Sequence, residues 1–350
     1  MGSVEVSTVR EVLEQLREDV VAELQRRKVK VPQEALVTGA SERAVAAWVR
    51  LQNRSLAAVP RTVRESPELL MHDLGAGTRA SVATIRSEFE RGDNLTHRLS
   101  REFYKSGFND FLFNTFGIHH MHLGVLGQGK DRTKQHTMSG GVHELLFVIV
   151  RREEAYFLDV LDHDVFDDAA MTKSLVQIAQ RNWPSVLEQY VIQAEDADLS
   201  FEEAFKMAKS GFTVPFEVDG VIFASGNVLD GKVRRLKGPR GEDAGYSRSA
   251  CTSTNVMRTT HHVLNAVANL VGAISRDANS LADQIESETG KRPTAFRLEV
   301  IEFGALIVIR DKSTGTEFMG DGRSGAYSWF RNASQNVPSN WTAVRPPPST

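Results

Sequence analysis

A chain of 350 residues is long enough for two or three domains with real cores, and its apolar and charged fractions, 41% and 25%, are those of an ordinary soluble protein. A formal net charge of −3 excludes a nucleic-acid footprint spread over the whole surface, so such binding has to come from a local patch. The single cysteine, Cys251, excludes an internal disulfide and predicts a reducing cytoplasm; with no opening signal peptide and no bilayer-length apolar run, no membrane partner is expected.

Val6 to Val29 reads as a helix with an apolar stripe of Val9, Val12, Leu13, Leu16, Val20, Val21 and Leu24. Its basic end before Pro32 suits a helix C-terminus electrostatically. A second helix is expected over Ser41–Ala57 with Ser41 as N-cap, followed by helices over Arg79–Arg91 and Leu95–Asn114. The phenylalanines of the last one are expected to pack helix on sheet.

Gly117 to Phe166 then holds six of the ten histidines: His119, His120, His122, His136, His143 and His163. Three strand-like runs lie in it, Ile118–Val125, Glu144–Val150 and Ala155–Leu161. Alternation in the first puts His120 and His122 on one face, with His119, Met121 and Leu123 on the other. The middle run, LLFVIV, is apolar on both faces and reads as a central strand. Arg151 to Glu154 forms a polar turn to the third run, which predicts an antiparallel hairpin. Gly127–Gly141, with Lys130, Arg132, Lys134 and His136, reads as a basic loop that is mobile or orders on a ligand.

Asp167–Tyr190 is read as one or two helices, with Pro184 opening the second, and Phe201–Ser210 as another. Phe212–Ala224 alternates as a hairpin turning at Asp219-Gly220. Leu229–Arg248 is a basic stretch that suits either phosphate contact or an exposed loop. From Thr254 to Thr289 a heptad-like seam runs through Val256, Thr260, Val263, Val267, Leu270, Ile274, Ala278, Leu281 and Ile285. A buried central helix fits it, and so does a homodimer through Val256–Ile285; His261 and His262 beside it are read as non-ligands. Ala295–Gly320 reads as strands, and the proline-rich tail as extended or disordered.

The expectation is an α+β protein in successive parts: a helical N-terminal region over 1–116, a central antiparallel sheet over 117–200, a C-terminal α+β unit with one long helix over 201–335, and a disordered tail over 336–350.

Histidine titrates near neutral pH, so this clustering points to a chemical site. Internal attack by an RNA 2′-hydroxyl needs a base, an acid for the leaving 5′-oxygen and cations around the phosphorane. His120 or His122 with His163 suits the acid/base pair, Arg132 and Lys130 the phosphate, and Asp159 or Asp164 the orientation of an imidazole. His143, Lys134 and His136 complete the candidate site. The plain alternative is a sheet with its histidines at the solvent-facing surface, satisfying backbone groups. A rival chemistry is a metal site of His120 and His122 with His163 or Asp162. A third reading is a non-enzymatic assembly protein that uses the long helix. No Rossmann glycine fingerprint, nucleophile elbow or kinase signature occurs, and Cys251 is read as a plain small residue.

The pieces His122-Leu123, the loop with Arg132 and His136, His143 to Phe147, and His163 to Phe166 resemble the catalytic core of the RelE-superfamily bacterial endoribonuclease toxins. The resemblance covers residues 118–166. It implies a metal-independent ribonuclease without cofactor, a toxin or defence effector with RNA as its partner. Convergence of His120, His122, His143 and His163 within about 8 Å around a basic pocket would favour catalysis, since acid and base must flank one phosphate.

Overall fold

The computed structural model describes residues 4–105, 110–123, 144–192, 199–209, 215–224, 254–303, 307–320 and 328–331. Its elements begin with β1 (Glu5–Val6), α1 (Val9–Arg26), α2 (Ser41–Arg54), β2 (Thr62–Glu65), α3 (Pro67–Met71) and α4 (Ala76–Arg91). Next come α5 (Phe111–Phe116), β3 (Ile118–His122), β4 (Leu145–Val150), β5 (Glu154–Leu161), α6 (Ala169–Asn182), α7 (Phe201–Lys209), β6 (Pro215–Val218) and β7 (Val221–Ala224). The chain continues with α8 (Thr254–Thr289), β8 (Ala295–Phe296), β9 (Leu298–Phe303), β10 (Ile307–Asp311), β11 (Thr316–Gly320) and β12 (Ser328–Arg331). The protein is α+β, with helices in its N-terminal region and one long helix near the C-terminus. Among the described residues no helix is long and apolar enough to cross a membrane. The basic stretch Leu229–Arg248, Cys251 and the tail over 336–350 lie outside them.

Two compact units result, residues 51–255 and residues 1–50 with 256–350. They are not the successive segments that the sequence suggests. The reason is a long-range pairing: β1 runs parallel to β8, with Glu5 opposite Ala295 and Val6 opposite Phe296.

In the unit of residues 51–255 a four-stranded sheet has the order β2-β5-β4-β3. The β3–β4 and β4–β5 pairings are antiparallel, the second as the polar turn at Arg151 to Glu154 predicts and with a bulge between Phe147 and Val148. Edge strand β2 is an addition, parallel to β5. It is only four residues long, between Pro60 and Pro67, too short for a periodic signal. Ile118, Leu145, Phe147 and Ile149 form one buried cluster with Phe116, with Leu175, Val176 and Ala179 of α6, with Phe201 and Phe205 of α7, and with Phe216 and Phe223 of the β6–β7 hairpin. Each such side chain removed from water contributes roughly 1.5–3 kcal/mol. Beyond the cluster, Phe89 of α4 meets Phe157 edge-on at 5.7 Å. The β6–β7 turn falls at Asp219 and Gly220, both at positive φ, the geometry that an Asp-Gly hairpin favours.

The helix expected over Leu95–Asn114 is not continuous. Two 3₁₀ turns, Leu95–Arg98 and Arg101–Tyr104, replace its first half, and α5 its end. Asn94 and Ser100 cap those turns by accepting from the amides of Thr96 and Glu102, so local side-chain bonds compete with the helical ladder. Arg98 then holds the buried Glu88 of α4 through two hydrogen bonds of 3.0 and 2.8 Å. Burial works to raise the Glu88 pKa, but His97 and Arg98 beside it bring it down to about 2.

In the unit of residues 1–50 and 256–350, α1 opens with a reciprocal cap in which Thr8 and Glu11 satisfy each other's amides. Strands β9 to β12 form an antiparallel sheet. The seam of α8 is buried within this single chain: Val256, Val263, Val267, Leu270, Ile274, Leu281 and Ile285 are all under 4% exposed. A homodimer through Val256–Ile285 therefore lacks the exposed apolar seam that it needs.

Candidate functional site

The site starts at the junction of α5 and β3. Asp110 caps α5, its Oδ1 accepting from the Phe113 amide at 3.1 Å. Gly117 ends the helix at φ +70, where the chain turns directly into the histidine strand. A Cβ at Gly117 would meet the Tyr190 hydroxyl at 2.5 Å, so close approach as well as backbone conformation calls for glycine there.

In the β3–β4 register His120 lies opposite Phe147 and His122 opposite Leu145, which puts both histidines on the face that carries the Phe147 cluster. His163 comes to them from beyond β5. Asp162 caps the 3₁₀ turn His163–Phe166 by accepting from the Asp164 amide at 2.9 Å, and Thr172 of α6 donates to the Val165 carbonyl at 2.8 Å. Those bonds fix the turn on which His163 stands.

The result is a row of three imidazoles. The rings of His120 and His122 are 6.2 Å apart and those of His122 and His163 are 6.0 Å apart. Phe166 walls one side, its ring 5.0 Å from His120 and 6.1 Å from His163. Exposure rises along the row, from buried His120 through half-buried His122 to exposed His163. His120 is therefore not the solvent-facing histidine of the plain alternative.

Burial lowers the His120 pKa, with the nearby His163 adding to that and Asp110 opposing it. Asp110 Oδ2 lies 3.7 Å from His120 Nδ1, beyond hydrogen-bond reach, so the carboxylate acts through space and the ring is neutral at neutral pH. His119, on the opposite face, is pushed down to about 3, first by burial and then by His120, Arg151 and Arg61. Asp110 and both buried histidines border a small cavity closed by Arg54, Leu99, Ser100 and Phe103.

Of the sequence candidates, His120, His122 and His163 come together. Asp164 is exposed on the His163 turn. Asp159, two strands from His120, accepts a 2.8 Å contact from His72 Nδ1 and so orients a different imidazole. Lys130, Arg132, Lys134, His136 and His143 lie outside the described residues. Sequence reasoning missed Asp110 and His72. The signal for Asp110 was its place as an acidic cap before FLFNTF, hidden by reading the segment as one long helix.

Among the described residues no group of three or more His, Cys, Asp or Glu is arranged to hold a metal ion, so the metal reading of His120, His122 and Asp162 or His163 has no ligand set there. No protein-family model matches the chain, and no curated protein or solved structure matches it either.

Proposed function

We propose that the protein is a metal-independent endoribonuclease in which His122 and His163 exchange protons with the substrate. One observation carries this reading: two imidazoles 6.0 Å apart, one half-buried and one exposed. A base and an acid that flank one phosphoryl group each need a hydrogen bond of roughly 2.6–3.2 Å to it, and rings with centroids 6.0 Å apart are close enough for one such group to engage both. The neutral imidazole takes the 2′-hydroxyl proton as the oxygen attacks phosphorus. The protonated partner donates to the leaving 5′-oxygen, and the product is a 2′,3′-cyclic phosphate. Neutral, buried His120 is a positioning residue that keeps a second positive charge away from the pair. Phe166 lowers the local dielectric and so strengthens the pair's interaction with the phosphate.

The test is cleavage of single-stranded RNA with and without EDTA. His163→Ala is expected to lower the rate by about 10²- to 10⁴-fold. Its thermal midpoint should stay near wild type, because the ring is exposed. Cleavage should persist in EDTA and leave cyclic-phosphate ends. Full activity in a folded His122→Ala, His163→Ala double variant would sink the reading. Activity lost on chelation, with stoichiometric zinc in the untreated protein, would transfer the same histidines to metal-assisted hydrolysis.

A further inference from the structure

We infer that a cleft at the turn end of the β3–β4–β5 sheet is a binding site for a small phosphate ester, separate from the histidine row and independent of the ribonuclease reading. The cleft has a volume of about 450 Å³, within the size range of small-molecule sites. Three arginines line it, Arg61, Arg151 and Arg152, and among the described residues no carboxylate does.

Arg61 makes this a built site. Its side chain is buried, with the whole residue 7% exposed, yet its bonds are all to carbonyls: Nε to Arg151 at 2.9 Å, and Nη1 to Ala57 at 2.9 Å and Val59 at 3.2 Å. None of these bonds engages Nη2, and among the described residues no acid pairs with the guanidinium. Arg151 is anchored in the same way, Nη2 donating to the Val186 carbonyl. A buried cation without a counter-charge is costly, and folded chains pair it or use it. Here the carbonyls hold two guanidiniums in place without neutralising either. Arg152, exposed on the β4–β5 turn, adds a third positive charge at the rim.

The rest of the lining suits an ester better than a bare ion. Asn53 and Gln189 supply amides, and the buried Tyr190 hydroxyl lies against Gly117. Phe113 and His119, with ring centroids 4.5 Å apart and planes inclined at 44°, give an unsaturated edge for an organic group. His119 stays neutral there, so it lends a hydrogen bond and not a further charge.

Isothermal titration with inorganic phosphate and with adenosine 5′-monophosphate tests the site, with sodium chloride at equal ionic strength as the control. Both probes should bind saturably at one site, the ester at least as tightly as phosphate. Arg152→Glu should weaken both by about tenfold or more, the loss of one charge-assisted contact. Because Arg152 is exposed, its unliganded thermal midpoint should not move, which keeps the test clear of misfolding. Arg61→Lys, which retains the charge but not the fork, should weaken the ester similarly. Absence of saturable binding, binding unchanged in Arg152→Glu, or phosphate bound without the ester would overturn the inference. RNA cleavage lost in His163→Ala with probe binding intact would show that the two sites stand or fall separately.

Discussion

Three histidines within four positions of β3 meet three environments, and their chemistry diverges accordingly. His119 and His120 are both buried, on opposite faces, and His122 is half-buried. Alternation along the strand made the two faces legible. Their burial was not, because the covering comes from Phe113 and Phe166, whose positions depend on α5 and on the 3₁₀ turn. The consequence for stability follows from the sign of the shift. A histidine whose folded pKa is depressed takes up its proton in the unfolded chain first. Its contribution is fully present above the ordinary histidine range and is lost as pH falls from about 6.5 toward about 3. Below pH 6 the His119 proton alone should cost up to about 1.4 kcal/mol per pH unit. Urea unfolding at pH 7, 6 and 5 should show this fall, and His119→Phe, which keeps a ring against Phe113, should flatten it by about that slope. An unchanged slope in the variant would mean that His119 does not carry the acid sensitivity.

Among the elements, α8 was the most legible. Its seam predicted a helix over Thr254–Thr289, and those are the limits observed. A long, strongly periodic segment decides its own structure, whereas Leu95–Tyr104 did not, since two side-chain caps outweighed its helical pattern. What the seam left open was its partner, because the same periodicity serves a coiled coil and a buried helix. Burial decides this. Leu270 is 2% exposed within one chain, and bonds to Val4 and Glu42 set α8 beside the N-terminal segments. Leu270→Asp should therefore place an unpartnered charge in a core at a cost of several kcal/mol and unfold this unit. Circular dichroism with light scattering is the measurement. A folded, fully helical monomer would show that the seam's burial is dispensable.

At the scale of the whole molecule, the two ends of the chain close one unit. β1 and β8 are held by more than their register: the Ser7 amide donates to the Phe296 carbonyl at 3.1 Å, the Leu298 amide donates to Ser7 Oγ at 3.2 Å, and Glu5 pairs with Arg297 at 2.9 Å. Nothing in a local reading of the sequence signals a parallel two-residue pairing nearly three hundred positions apart, which is why successive domains were expected. The energetic consequence concerns α1, whose Val12, Leu16, Val20 and Leu24 are buried, and α2, whose Ala44, Val45, Ala47 and Val49 are. Removing residues 1–50 takes that apolar surface away from the unit while leaving α8 and the β9–β12 sheet to fold without it. At roughly 1.5–3 kcal/mol for each of the larger side chains among them, the valines and leucines, the loss is comparable to the roughly 5–15 kcal/mol by which domains are stable. A fragment of residues 256–350 should accordingly lack a cooperative thermal transition by circular dichroism. A peptide of residues 1–50 supplied in trans should restore one, since the pairing is between separate stretches of chain. If residues 256–350 melt cooperatively alone, with the helicity expected of α8, then the N-terminal segment covers this unit without being needed to build it.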